Sequence, residues 1–348
     1  MKSVLVHATL AVIALLWAYQ TWTHEEESEG PVSEVEIVDC DDSDLQEVSF
    51  TSENTFAKLD VRGKGDKKFL WIQSKNKTKN APNQMQSFVG NEAADEFVND
   101  ITPLRAIRSL GTLSKKELKE LGLKNSKDKL TLKCDGKTHT LMIGGSTFGS
   151  ADRYAKFPKK NTVFLLKADL IRHLESAQTR LMQRNMQRFK FADVDEIVVK
   201  VDNKTRTLLH RDRREPAKAQ WVDKANPTQR NELYGNWLKK VEALRAQRYL
   251  APKQSPNDLL KDKQVKAEPA LILEFIAEGK SIGHFEMLQA TAEVESFYGK
   301  SDATRSWVEL ITSSAKQVTA DARPVVGLEA MPSQSSIQSI PQNPHAHP

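Results

Sequence analysis

The start of the chain is predominantly apolar. Ser3 to Trp22 contains no charged side chain, and these 20 positions predict a helix about 30 Å long, enough to cross the hydrocarbon core of a bilayer. Lys2 precedes the span, whereas no Lys or Arg follows it before Lys58. Because basic residues remain on the cytoplasmic side, the pattern predicts that the rest of the chain is translocated.

A cleaved signal peptide is the alternative interpretation of this span. The residues after the apolar core read AYQTWTHEEE, with bulky aromatic side chains where a cleavage site needs small ones. We therefore expect residues 1–23 to remain as a membrane anchor, followed by an acidic linker at residues 24–31.

The remaining chain contains one pattern twice. LRAIRSL at residues 104–110 recurs as LRAQRYL at residues 244–250, with five identities in seven at an offset of 140. Apolar residues at spacing i, i+4, i+8, i+11 lead into each of these two motifs and end at its first leucine. This spacing predicts one buried face of an amphipathic helix. They are Ala93, Phe97, Ile101 and Leu104 in the first copy, and Leu233, Trp237, Val241 and Leu244 in the second.

Alternating apolar and polar segments flank both predicted helices and indicate strands. Each copy reads strand, strand, strand with Trp, helix, hairpin, strand, helix. The matched strands are Val32 to Val38 with Val194 to Lys200, those containing Trp71 and Trp221, hairpins turning at Asp135-Gly136 and Glu278-Gly279, and the strand patterns at residues 154–166 and 297–310.

This order of elements predicts an α+β fold of mainly antiparallel sheet in two tandem copies. The first copy covers residues 32–190 and the second residues 191–323, with a helix at residues 167–190 connecting them. Residues 324–348 are rich in Ser, Gln and Pro, a composition that predicts a disordered tail.

The net charge of +5 conceals a strong asymmetry. Twelve acidic residues lie between Glu25 and Glu53, and the chain from Lys58 onward is basic. That excess favours anionic surfaces such as phospholipid headgroups or acidic envelope polymers, although a solvated lysine-rich surface explains it too. We expect no nucleic-acid partner.

The sequence offers little catalytic chemistry. It contains no G-x-S-x-G motif, no Walker loop and no dinucleotide fingerprint, so we expect no catalytic residue and no cofactor. Asp39, Asp41 and Ser43 resemble the opening of a calcium loop, but Asp44 and Phe50 stand where that loop has Gly and Glu. At most weak calcium affinity is expected here, and no metal site is predicted.

Two arginine pairs are the best candidates for binding. Arg105 with Arg108, and Arg245 with Arg248, have i, i+3 spacing near predicted helix C-termini, so each pair is expected to project to one side. A guanidinium suits carboxylate and phosphate, which favours an anionic group or an acidic partner surface. The alternative is interaction with the helix dipole and packing over the core.

Cys40 and Cys134 are the two cysteines of the chain, both on predicted strands of the first copy. A disulfide between them is permitted if the domain lies outside the cytoplasm. Two separately buried thiols are the alternative.

Several segments together resemble a bacterial family known as domain of unknown function 4340. They are LGLKNSKDKLTLKCDGKTHTLMIGG, RYAKFPKKNTVFLL, VDEIVVKVDNKTRTLLHRD and AQWVD, within about residues 65–250. Members typically carry an N-terminal membrane span and are often encoded beside ABC transporter components of the gliding-motility type. The resemblance implies a single-pass inner-membrane protein with its bulk in the periplasm, and it supplies no catalytic residues. This sequence departs from the family after Gly122-Leu123, where KNSKDK replaces the usual Pro.

Three hypotheses about function follow. The first is a non-enzymatic, membrane-anchored accessory or scaffold protein whose partners are envelope proteins such as ABC transporter subunits. The second is a ligand-binding module that uses the groove between the two copies. The third and weakest is an envelope hydrolase, which requires a cleft that places His173 or His210 beside paired carboxylates.

Overall fold

The computed structural model describes residues 34–63, 65–77, 84–291 and 295–329. The predicted anchor at residues 1–23, the linker at 24–31 and residues 330–348 of the predicted tail lie outside these ranges. No helix within the described ranges has the length and hydropathy to cross a membrane.

The first half is built around a nine-stranded antiparallel sheet in the order β5-β4-β3-β2-β8-β9-β10-β11-β7, and β1 pairs separately with β6. Its strands are β1 Val35–Val38, β2 Leu45–Thr51, β3 Thr55–Arg62, β4 Phe69–Asn76, β5 Gln86–Val89, β6 Leu104–Ala106, β7 Arg108–Thr112, β8 Lys129–Cys134, β9 Lys137–Ser146, β10 Arg153–Lys156 and β11 Thr162–Leu166. Its helices are α1 Glu92–Ile101, α2 Lys115–Glu120, α3 Ala168–Glu175 and α4 Ala177–Arg180.

The second half contains an eight-stranded antiparallel sheet in the order β14-β13-β12-β16-β17-β18-β19-β15. Its strands are β12 Glu196–Val201, β13 Lys204–Arg211, β14 Gln220–Asp223, β15 Ala246–Tyr249, β16 Ala267–Ala277, β17 Lys280–Ala290, β18 Ser296–Ser301 and β19 Val308–Leu310. Its helices are α5 Glu232–Glu242, α6 Pro256–Leu260 and α7 Thr312–Val325. The prediction of a mainly antiparallel α+β fold with two sheets in tandem is confirmed.

The two halves place matching elements at matching positions. The predicted helix faces are buried on α1 and α5, with Phe97 1% and Trp237 0% exposed. Both β8–β9 and β16–β17 are hairpins with two-residue turns, and both turn residues have positive φ, as a type I′ turn requires. The short helices α2 and α6 each begin with a capping box, from Ser114 and Ser255.

Two details of the predicted correspondence are wrong. The strand that occupies the place of β12 in the first sheet is β2, because β2 lies between β3 and β8 as β12 lies between β13 and β16. Following the paired registers outward, Trp221 corresponds to Leu70 and not to Trp71. A shift of one residue turns a side chain to the other face of a sheet, so the two tryptophans face opposite sides.

The predicted connecting helix at residues 167–190 is also wrong. Helical structure ends at Arg180, and the backbone then extends between the two halves. Gln183 N–H donates to Val89 O at 2.8 Å, and Ala246 N–H donates to Arg184 O at 2.8 Å. These partners in both halves take the backbone groups that a continuing helix would have bonded internally.

The extended connector gives both halves one continuous hydrophobic core. Met182 and Met186 are buried in it, at 3% and 1% exposure. The buried Tyr249 hydroxyl donates to Gln183 O at 2.8 Å, and its ring lies 6.2 Å from that of Phe88 in the other half. The two copies therefore pack against each other.

The second half extends beyond its predicted end at residue 323. Helix α7 continues through Pro324 to Val325, and Val325 and Val326 are buried in the shared core at 0% and 5% exposure. Apolar contact with the sheet therefore keeps these residues in the fold, and the predicted tail boundary at residue 324 is too early.

We expect Tyr249→Phe to lower the free energy of unfolding by about 1–2 kcal/mol, because it leaves the buried Gln183 carbonyl without this donor while retaining the ring. Urea denaturation of the full chain measures the change. Tyr154→Phe, at a half-buried tyrosine of the first half, is the matched control and should change stability less. Equal losses in the two variants would contradict a specific role for the bond between the halves.

Candidate binding cleft between the two halves

The predicted arginine pairs do not lie on helices. Helix α1 ends at Ile101 and Pro103 follows, where proline lacks the N–H of a helical bond and disfavours helix at the residue before it. Arg105 consequently lies in β6 and Arg108 in β7. The prediction that each pair projects from one helix face is therefore wrong.

In the second copy, both arginines form hydrogen bonds with neighbouring groups of the fold. Arg245 follows α5 and its Nη1 donates to Glu242 O and Leu244 O, at 2.7 and 2.9 Å. Arg248 in β15 donates to one carboxylate oxygen of Glu309, at 2.8 and 3.1 Å.

Arg105 of the first copy lies 3.7 Å from the carboxylate of Glu36. Pairs as exposed as this one contribute at most about 1 kcal/mol. An anion-binding role for these arginines stays a prediction.

Cys40 and Cys134 are joined by a disulfide. Cys40 follows β1 and Cys134 ends β8, and both side chains are buried. The bond joins the small β1–β6 ladder to the large sheet of the first half.

The acidic segment Asp39 to Asp44 forms a turn, in which Asp44 N–H donates to Asp41 O at 3.1 Å. Within the described ranges, no group of three or more His, Cys, Asp or Glu side chains could hold a metal ion.

A cleft of about 550 Å³ lies between the two halves. The first half contributes Lys67, from the short 3-10 helix between β3 and β4. The second half contributes the middle of β17, the end of β18 and the turn that follows it. The lining residues from this half are His284, Glu286, Lys300, Ser301, Asp302 and Arg305.

Arg305 crosses the junction and is held by a rigid turn. Its guanidinium carbon lies 4.2 Å from the ring centroid of Phe69 in the first half, a cation–π contact. The backbone N–H of Arg305 donates to the backbone carbonyl of Ser301 at 2.8 Å. Ser301 and Thr304 are buried and bond to each other, with Ser301 N–H donating to Thr304 Oγ1 at 3.1 Å.

The cleft has more positive than negative side chains. Lys67, Lys300 and Arg305 are cationic, whereas Glu286 and Asp302 are the carboxylates. Asp302 Oδ2 accepts the backbone N–H of His284 at 2.9 Å and keeps its negative charge, which leaves one positive charge in excess. Charges of this balance in a concave site attract a small anion.

A smaller crevice of about 180 Å³ adjoins the cleft and shares His284 and Asp302 with it. The connector forms one wall, and buried Gln187 Nε2 has no hydrogen-bond partner within the described residues. A buried donor without a partner costs about 1–3 kcal/mol. Gly283 forms the opposite wall, where a Cβ would lie 2.5 Å from the Phe189 ring.

One known protein family matches a segment that includes this junction. Residues 106–266 match the family model described as Domain of unknown function (DUF4340). The predicted resemblance is confirmed. The DUF4340 segment runs from the end of β6 through the connector to the residue before β16. No curated protein and no solved structure matches the chain.

A second groove, of about 570 Å³, lies inside the DUF4340 segment between β13, β14 and α5. His210 stacks on Trp221 there, with ring centroids 4.3 Å apart and planes at 13°. His210 Nδ1 lies 3.1 Å from Val194 O, so it carries the proton and donates to that carbonyl. Burial lowers the pKa of His210 and favours the neutral ring.

The groove does not supply paired carboxylates beside His210. Its acidic residues Glu232 and Glu242 lie ten positions apart on α5, which separates them by about 15 Å along the axis. His173 packs 6.0 Å from the ring of Phe97, and burial lowers its pKa. The carboxylates of Asp100 and Asp169 also act on His173, against the charges of Arg172 and Arg180, and the hydrolase hypothesis stays a prediction.

Sequence reasoning missed all three cations of the cleft. The clearest available signal was YGK at residues 298–300, which repeats YAK at residues 154–156. Lys156 is 5% exposed and donates to three backbone carbonyls, from Phe157, Pro158 and Lys160. Lys300 is exposed at the cleft instead. The lysine at this strand position therefore bonds to the carbonyls of a turn in the first half and is exposed to solvent in the second.

We expect inorganic phosphate to raise the melting temperature of the full chain relative to chloride at equal ionic strength. Lys300→Gln should weaken phosphate binding roughly tenfold, because a hydrogen bond to a charged group contributes about 1.5–3 kcal/mol. Lys266→Gln removes another exposed lysine, outside the cleft, and serves as the control. An identical phosphate response in both variants would exclude the cleft as the binding site.

Proposed function

We propose that this protein is a non-enzymatic accessory protein of a bacterial inner membrane, anchored by residues 3–22 with its folded part on the periplasmic side. Its partners in this proposal are envelope proteins, with ABC transporter subunits first among them. The observation that carries the proposal is the Cys40–Cys134 disulfide.

The disulfide supports a location outside the cytoplasm. Disulfides persist in oxidising compartments and are rare where cellular reductants keep thiols reduced. Both cysteines of the chain are used, and they are 94 positions apart in sequence. Bonds that close loops of this length stabilise a fold by about 4–5 kcal/mol in the chain-entropy account. The uncharged N-terminal span and the absence of Lys and Arg for the 35 positions after Trp22 point the same way.

The packing of the two halves gives the described residues a broad surface on which a protein partner can bind. Two wide sheets share one core and are joined by the connector, so the described residues form a broad, rigid body. The face of the first sheet opposite its core carries polar side chains, including Glu47 and Lys58, whose charged groups lie 3.0 Å apart. A large polar surface of this kind suits a wet protein interface.

The choice of partner comes from the family resemblance. Proteins that resemble the DUF4340 pattern are often encoded beside ABC transporter components, which suggests a shared complex. The DUF4340 segment includes the connector and parts of both halves.

A ligand-binding module is the second candidate function, and the cleft between the halves favours it. The cations there come from both copies, and the unpartnered Gln187 amide lies in the adjoining crevice. The two functions differ in what they need from the cleft: a scaffold tolerates its neutralisation, whereas a ligand-binding module does not.

The compartment can be tested by thiol trapping in cells that are quenched with acid and then denatured, so that a maleimide polymer reaches the buried cysteines. We expect the polymer to shift the protein on a gel only after reduction, because both thiols are in the disulfide. Cys40→Ser should leave Cys134 free and give a shift without reduction. Rapid labelling of both thiols in the unreduced wild-type chain would overturn the proposed location.

The partner can be tested by purification of the full chain in mild detergent, followed by mass spectrometry. We expect ABC transporter subunits to be recovered with the wild type and equally with Lys300→Gln, because a scaffold does not need the cleft. Recovery of subunits that depends on Lys300 would favour the ligand-binding module. Purification with no transporter subunit would overturn the assigned partner.

A further inference from the structure

Phe148 is the most conspicuous apolar side chain on the described surface. It lies in the loop between β9 and β10 and is 107% exposed, which is full exposure. The other large hydrophobic side chains on that surface are less exposed, with Met85 at 50% and Ile311 at 41%. Covering a phenylalanine side chain contributes about 1.5–3 kcal/mol, so a partner or a membrane that takes up this ring gains free energy of that size.

The loop that carries Phe148 is held by hydrogen bonds on both sides of the ring. Thr147 N–H donates to Asp152 O at 2.8 Å, and the hydroxyls of Thr147 and Ser150 lie 2.8 Å apart. Ser150 Oγ donates to Asp152 Oδ2 at 2.6 Å. Gly149 has φ +89°, a left-handed conformation that lets the chain turn directly after the phenylalanine. The loop therefore presents the ring at a defined place.

This loop shares a corner of the fold with the point where the described chain begins. Asp152 Oδ1 accepts the N–H of Ala168 at the start of α3, at 2.9 Å. The neighbouring Lys167 Nζ lies 2.6 Å from Glu34 Oε1, and Glu34 is the first described residue. These contacts connect the Phe148 loop to Glu34, the first described residue after the predicted anchor and linker.

The chain length between anchor and corner limits how far this corner can be from the bilayer. Trp22 ends the apolar span, and 12 residue steps separate it from Glu34. Even fully extended they cover only about 40 Å. The corner with Phe148 therefore lies within reach of the membrane surface.

We infer that Phe148 inserts into the interfacial region of the periplasmic leaflet and fixes the orientation of the folded body on the membrane. Phenylalanine is among the residues with which peripheral segments enter the boundary between headgroups and acyl chains. The neighbours of Phe148 in the loop, Thr147, Gly149 and Ser150, are small and uncharged, so the ring can enter the interface without burying a charge. The inference rests on the membrane anchor of the proposed function.

A lipid contact fits this loop better than a protein pocket does. Anchor residues of protein interfaces lie at the centre of a patch whose other contacts exclude water. Thr147 is half-buried and Gly149 and Ser150 are exposed, and these small residues form no apolar patch around Phe148.

The test is a fluorescent label on the full chain in vesicles of phosphatidylethanolamine and phosphatidylglycerol. Phe148→Cys provides the free thiol, since both native cysteines are disulfide-bonded. Lys137→Cys is the matched control, because Lys137 begins the same strand β9, about 30 Å from its far end. We expect quenchers attached to the lipid chains to reduce emission several-fold more at position 148 than at 137.

Flotation of the labelled protein with the vesicles separates failure of this inference from failure of the proposed function. A protein that floats while its label at 148 is quenched no more than the control overturns the lipid contact alone, and a protein partner then becomes the explanation of the exposed ring. A protein that does not float overturns the anchor and, with it, the inference.

Discussion

The backbone hydrogen bonds of residues 181–184 are the interaction on which the rest of the structure depends. This short extended segment bonds to the end of β5 in the first half and to the start of β15 in the second. It thereby joins the two sheets, which would otherwise be separate tandem domains connected by a linker. Met182 in this segment and Met186 just after it enter the common core, and their flexible side chains suit an irregular space between two sheets.

Once the connector fixes the two sheets, differences between the copies acquire a role. The first half has β5 beside β4 and a disulfide, whereas β14 ends the described sheet of the second half. Lys156 and Lys300 hold equivalent strand positions, yet one is buried among carbonyls and the other is exposed at the cleft. Part of the charge at the junction therefore comes from a lysine that both copies contain but that only the second copy exposes, and not from the arginines that they share.

The extent of the DUF4340 segment agrees with this view. It begins at residue 106 and ends at residue 266, so it omits the start of one copy and the end of the other while including the whole connector. The segment is centred on the junction between the copies and does not coincide with either one. The junction cleft exists only because the two halves pack against each other.

By itself, the sequence determined the local structure and the duplication. Periodicity placed the buried faces of α1 and α5, and Asp-Gly and Glu-Gly pairs placed two hairpin turns, because these signals act within a few residues. It did not determine that residues 181–190 extend, that Trp71 and Trp221 face opposite sides, or that Lys67, Lys300 and Arg305 line one cleft. Those outcomes depend on contacts between residues far apart in the chain. Only the packed tertiary structure decides which backbone groups, strand registers and charges meet.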